Sequence, residues 1–403
     1  MAEQTATTRA AVISRRERAR RDEQLRRSLP FPRAAWRRWM LRLLFMAPGV
    51  AVVALGVPGS LTAETPNALL LARIAELEFT RADSLWLSQL YPHVSTLIAV
   101  IVEPLGASGL ALAGVIAAGF LLQAVIQILA QRAVSIPFGT ALMLALAATP
   151  LFFYLAQENL AAFLALTFFG LALADIQRFV TWGNTGSGFR AGLLFAASAL
   201  SDPSGILLLL VALIAAPFLR SGRWTTRGLR AANSLVLAFP ALGTLATVML
   251  LNLAFFRVLW PVSIDAGLDR VPERLALLEA IYSQSPASAV LIAGPVLVAI
   301  VIAIITRRVP AAAVALAAFA LIHLGFLAGL VSAGAAGTTH LLTTLLAITL
   351  LPAGRTPLQN GLLTAVAVVQ LALGWLIALD RPIVVEWMLA VARALVEFAT
   401  GAA

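Results

Sequence analysis

The side chains able to do chemistry gather in two polar stretches and one interrupted apolar run. Residues 62–91 carry Glu64, Arg73, Glu76, Glu78, Arg81 and Asp83, and end on Tyr91-Pro92-His93. Residues 257–286 carry Asp265, Asp269, Arg270, Glu273 and Arg274. Asp202 stands before Pro203 inside an apolar segment, where a carboxylate is costly enough that pairing or function is the default reading. A carboxylate can take a proton from a hydroxyl or hold a divalent cation, and an arginine can meet phosphate with paired, charge-assisted hydrogen bonds. Each of these residues also has a plainer role. Glu64 suits the N-terminus of a loop helix, and Asp83 suits a cap or a second acid. Arg73, Glu76, Glu78 and Arg81 suit a solvated helix face, and the group from Asp265 to Arg274 suits a loop surface.

Other chemistries are excluded or weakened. There is no cysteine, so disulfides, thiolate metal sites and thiol catalysis are ruled out. All 29 basic residues are arginine, so no phosphate-binding lysine exists, and no nucleotide-binding glycine–lysine loop is present. The glycine-rich GNTGSG at residues 183–188 follows an apolar run and reads as a turn between helices. His93, His323 and His340 lack metal-ligand spacing and read as packing or pore-side residues.

The elements that must position these groups are membrane helices. Hydrophobic residues make up 61% of the 403, 12% are charged and the mean hydropathy is +0.93, far from a soluble domain. The apolar runs are continuous Ala, Leu, Val and Ile, which indicates helices rather than the alternating strands of a barrel. Spans are expected at 40–61, 92–106, 108–131, 137–156, 158–178, 190–219, 232–256, 287–306, 310–332, 338–353 and 358–379. The expected fold is therefore all-α and polytopic, with about eleven transmembrane helices, range ten to twelve. Residues 383–399 place Glu386, Arg393 and Glu397 on one helical face, which suits an interfacial helix as well as a last span.

The net charge of +10 has a lopsided distribution: twelve of the 29 arginines precede residue 43. That is the pattern of a basic cytoplasmic tail beside a first span, here residues 1–39 and expected to be disordered, rather than of a nucleic-acid binder. The all-arginine usage points to a bacterial genome rich in G and C. The tail is too long and too charged for a cleavable leader. With the tail inside, residues 220–231 fall inside, and the loops 62–91 and 257–286 fall outside. That count reads 190–219 as one kinked helix and leaves Arg178 and Arg190 outside. No internal repeat is visible, and most polar residues lie outside the spans, which favours a site at the membrane interface over a transport path.

The segment ETPNALLLARIAELEFTRADSLWLSQLYPHVSTLIAV, residues 64–100, resembles the first external loop of the GT-C superfamily of integral-membrane glycosyltransferases. In that family an acid follows the first span, then a helical segment, then a proline–aromatic motif opening the second span. Glu64 matches the acid, and Tyr91-Pro92-His93 matches the motif. Residues 145–174 and 187–210 are similar to later family spans broken by polar or proline steps, and 257–286 is similar to its second large loop. The likeness covers roughly residues 40–290, leaving 291–403 as additional C-terminal helices. It departs from the family in having Thr65 and Pro66 after a lone Glu64, and His93 in place of a second proline.

The resemblance implies transfer of a sugar from a polyprenyl-phosphate donor to an envelope glycan or glycolipid acceptor on the outer face of a bacterial cytoplasmic membrane. It implies Glu64 and Asp83 as catalytic acids, which could also hold a divalent cation, Mg or Mn. It implies Arg178, Arg190, Arg270 and Arg274 near the lipid phosphate, with Tyr91, His93, Asp202 and Asp265 lining the substrate site. Two other readings remain: a transporter or flippase of a lipid-linked substrate, and a non-catalytic subunit of an envelope-assembly complex.

Overall fold

The computed structural model describes residues 31–62, 64–77, 89–216, 227–259, 261, 270–307, 309–331, 335–350 and 356–401. Among the described residues every regular element is helical. In chain order these are α1 (Ala35–Ala54), α2 (Pro66–Ala75), α3 (His93–Val102), α4 (Gly106–Gln131), α5 (Ile136–Ala147), α6 (Pro150–Glu158), α7 (Leu160–Trp182) and α8 (Thr185–Ser201). There follow α9 (Ser204–Ala215), α10 (Arg227–Phe256), α11 (Val271–Ser283), α12 (Ser288–Ile305), α13 (Val309–Leu327), α14 (Ala335–Leu350), α15 (Pro357–Leu379) and α16 (Pro382–Thr400).

The punctuation is local chemistry. Thr65, Asn159, Asn184 and Thr356 cap α2, α7, α8 and α15 through their side-chain oxygens. Gly183 ends α7 in the left-handed region at φ 68°, so the GNTGSG segment is a helix-to-helix turn. Pro150 cannot donate into a continuing helix, and α5 and α6 meet there at a 44° bend.

Five helices are long and apolar enough to cross a membrane, six if the bent α5–α6 pair is one span. They are His93–Gln131, Leu160–Trp182, Ala232–Phe256, Ser288–Ile305 and Pro357–Leu379. Much of α10 turns leucine and phenylalanine outward, at Leu235, Phe239, Leu242, Leu250 and Phe255, as a bilayer-facing helix does. At the centre stands α4, packed on α1, α6 and α7. Its small residues let neighbours come close: a Cβ at Gly114 would lie 1.7 Å from the Ala156 carbonyl oxygen of α6.

Side-chain bonds sort the helix ends into two groups. Arg42 of α1 donates to Gln123 of α4 at 3.0 Å and lies over the Phe120 ring at 4.1 Å. Arg132, just past α4, donates to the Ile348 carbonyl of α14. These mark the tail end. At the opposite end Asn67 bonds Gln157 and Leu160, Tyr91 bonds Ala199, and Ser285 and Ser288 bond Asp380.

Three expectations are corrected. Residues 92–106 do not form a separate span: α3 leads through Glu103–Leu105 and Gly106, at φ 56°, into α4, and the two make one apolar stretch, His93–Gln131. Residues 190–219 are not one kinked helix. Asp202 is extended, and a Cβ at Gly205 would lie 2.3 Å from Ser198, so α9 folds back along α8. The tail is helical from Ala35, and residues 1–30 lie outside the described residues. The segment between the first two corrections changes ends relative to the sequence count. That segment contains Arg178 and Arg190.

Candidate functional site

At the end opposite the tail, α2 returns onto the α6–α7 junction. Asn67 is the clamp: its Nδ2 donates to the Gln157 carbonyl at 2.7 Å, and its Oδ1 accepts from the Leu160 amide at 2.8 Å. Beside it, the Thr65 hydroxyl accepts from the Ala68 amide at 3.3 Å, and Thr65 is the polar neighbour that favours the charged form of the Glu158 carboxylate. Glu158 is only 1% exposed, and its Oε1 has no hydrogen-bond partner among the described residues. A buried carboxylate with one oxygen unused is costly, which makes it a functional candidate. Glu64, one residue before Thr65, is exposed. Of the two carboxylates, Glu64 is in solvent and Glu158 is buried.

The wall of this site is built by α16. Thr62 donates its amide and hydroxyl to Glu386 at 2.7 and 2.6 Å, and these bonds hold Glu386 below the usual carboxylate range. Trp387 packs edge-on against Tyr154, with ring centroids 6.3 Å apart. Below it, Pro150, Phe153, Trp375, Trp387 and Leu395 line an apolar cavity of about 360 Å³.

A second group forms where α3 meets the α8–α9 turn. The Tyr91 hydroxyl donates to the Ala199 carbonyl at 2.8 Å, and burial, then the nearby Asp202 charge, push its phenol up. Asp202 accepts from the Ser204 amide at 2.8 Å. His93 stacks edge-on with Tyr91 at 5.7 Å. Arg73 of α2 donates to Thr96 of α3 at 2.8 Å, tying the two groups together. The structure therefore gathers Glu64, Tyr91, His93 and Asp202 at one end. Asp83 and Asp265 lie outside the described residues.

The four arginines separate. Arg178 and Arg190 both reach Asp175 Oδ1, at 3.2 and 3.0 Å, beside Gln127 of α4. Gln127 is one helical turn from Gln123, the partner of Arg42, so this cluster belongs to the tail end. Both residues therefore share an end with Arg42, rather than the opposite end that the sequence count gave them. Arg274 is buried and donates to the Leu327 carbonyl at 3.0 Å, docking α11 on the end of α13. Arg270 is exposed at the start of α11. His323 bonds Tyr282 at 2.6 Å, and His340 is buried against Ala145 and Gln370, so both join helices.

Glu158 is the residue that the sequence reading passed over. Its signal was a single acid in QEN between two apolar runs, at a span boundary.

The cysteine-free chain allows a clean check of sides. Thr185→Cys and Ala68→Cys, both at exposed positions, are expected to react with a membrane-impermeant maleimide from opposite faces of sealed vesicles. Labelling of both from one face would overturn the placement. Compared with family models, with curated proteins and with solved structures, the chain finds no match.

Proposed function

We propose that this chain is a glycosyltransferase of a bacterial cytoplasmic membrane, moving a sugar from a polyprenyl-phosphate donor to an envelope glycan or glycolipid on the outer face. In this reading α1, α4, the α5–α6 pair, α7, α8, α9, α10, α12, α13, α14 and α15 cross the bilayer, eleven crossings in all. The arginines at 132, 178, 190, 227, 230 and 307 then share the cytoplasmic side with the basic tail, as the charge rule favours. The observation that supports the reading is buried Glu158 beside Thr65, at the end opposite the tail, with one carboxylate oxygen that has no partner among the described residues, and exposed Glu64 next to Thr65 in sequence.

The chemistry follows from the two environments. Exposed Glu64 can orient an acceptor hydroxyl and take its proton as the hydroxyl attacks the anomeric carbon and polyprenyl phosphate leaves. Glu158, out of water, fixes the second contact in a medium where charge interactions are strong. The pair also suits a divalent cation, since magnesium binds through one or two carboxylates and completes its shell with water and phosphate. Such an ion, held by Glu64 and Glu158, would neutralise the leaving phosphate. The apolar cavity beside Trp387 gives a lipid tail a place in the plane of the membrane. The test is transfer of labelled sugar by the purified chain and by its Glu158→Gln form.

A further inference from the structure

A smaller cavity, about 90 Å³, lies between the start of α3 and the outer half of α10. His93, Val248, Leu251, Asn252, Phe255 and Phe256 line it. Among the described residues, His93 Nδ1 and Asn252 Oδ1 are both buried with no hydrogen-bond partner. Asn252 is 7% exposed, and its Nδ2 donates to the Val248 carbonyl at 2.9 Å, which fixes the amide with its oxygen unused. An asparagine on an apolar helix and a histidine at a helix start both carry a desolvation penalty here. Two residues with such orphans lining one cavity mark a place where a polar ligand completes the bonding.

The lining limits what that ligand is. No acid and no arginine lines the cavity, so it offers an ion no counter-charge. Asn252 Oδ1 requires a donor, and His93 Nδ1 accepts or donates according to its tautomer, a demand that neighbouring hydroxyls meet. One water needs only about 10–15 Å³ by the same measure, so the space holds a group of several heavy atoms. The two phenylalanines supply flat apolar walls, and exposed Leu250, Leu253 and Phe255 lead from the cavity to the lipid-facing side of α10. We infer that this cavity binds the uncharged, hydroxyl-bearing sugar headgroup of a membrane glycolipid entering from the outer leaflet. The inference rests on the transferase reading for its sidedness and deepens it: the acceptor is a glycolipid, held by α3 and α10, rather than a soluble glycan.

The experiment uses the full chain in phosphatidylethanolamine nanodiscs containing a photoactivatable monoglucosyl-diacylglycerol. Labelling of the wild type is expected on α3 or α10. It should fall at least tenfold in Asn252→Leu and His93→Leu. Leu251→Trp fills the cavity from its lipid-facing wall without touching either polar group, so it must lose labelling as well. The sugar-free photoactivatable diacylglycerol should label weakly and equally in every form, and excess phosphatidylglycerol should not compete. Equal labelling of wild type and all three variants, equal labelling by the sugar-free lipid, or competition by phosphatidylglycerol would each overturn the assignment. Glu158→Gln separates the two readings, since it should label like the wild type. Sugar-dependent labelling in a wild type that transfers nothing would keep the pocket and sink the transferase. Transfer with labelling unchanged by the variants would do the reverse.

Discussion

Glu158→Gln is expected to insert and purify like the wild type, yet to transfer sugar at least about a hundredfold more slowly, the usual loss when an acid–base group is removed. The amide keeps the size of the carboxyl and its oxygen can still face Thr65, so the fold is spared. It removes the ionisable group whose second oxygen has no partner among the described residues. Glu64→Gln should fall by a similar factor. The double variant should fall by little more than either alone, because residues acting as one unit are not additive. The measurement is initial rate with a labelled polyprenyl-phosphate sugar, alongside a monodispersity check. Normal rates in both single variants would move the reacting acid away from this junction.

Gly114→Leu should abolish recovery of folded protein. At this crossing the backbones of α4 and α6 touch: the added Cβ would meet the Ala156 carbonyl oxygen at 1.7 Å and its carbon at 2.8 Å. No side-chain rotation relieves a clash with backbone, so the helices must separate. Overpacking of this kind costs about 1–3 kcal/mol where a site can adjust, and more where it cannot. Ala156 precedes Glu158 by two residues, so even a tolerated shift would disturb the site. Gly243→Ala on α10 is the control, since nothing lies within 4 Å of its added Cβ. It should leave the thermal midpoint unchanged or raise it slightly. Comparable yields of folded Gly114→Leu and wild type would show that the crossing is looser than described.

What could be read from the sequence was what short-range chemistry decides. The apolar runs foretold most helix positions, and Gly183-Asn184 declared its turn because glycine and asparagine suit a left-handed stop followed by a cap. The break at Asp202-Pro203 was visible too, but its angle was not. Whether a proline step kinks a helix or folds it back depends on the close approach of Gly205 to Ser198, which no periodicity encodes. The stretch 92–106 had the apolar content of a span and lacked only length, because Glu103-Pro104 closes α3 after ten residues. Of the site, Glu64 and Tyr91-Pro92-His93 were legible through a loop pattern that resembled a known family. Glu158 was hidden because its significance comes from Thr65, ninety-three positions earlier, through a contact set by tertiary packing. Asn252 was hidden for the same reason: on α10 it is one polar residue among leucines until His93 is placed beside it.

The most direct test of the central claim is donor choice by the purified chain. In nanodiscs with a crude envelope acceptor, it should transfer sugar from a polyprenyl-phosphate donor and none from a nucleotide sugar. There is no lysine for a nucleotide phosphate, and the apolar cavity lined by Pro150, Phe153, Trp375 and Trp387 is where the account seats the lipid tail. Robust turnover from a water-soluble nucleotide sugar alone, or no turnover from any lipid-linked sugar, would contradict the account.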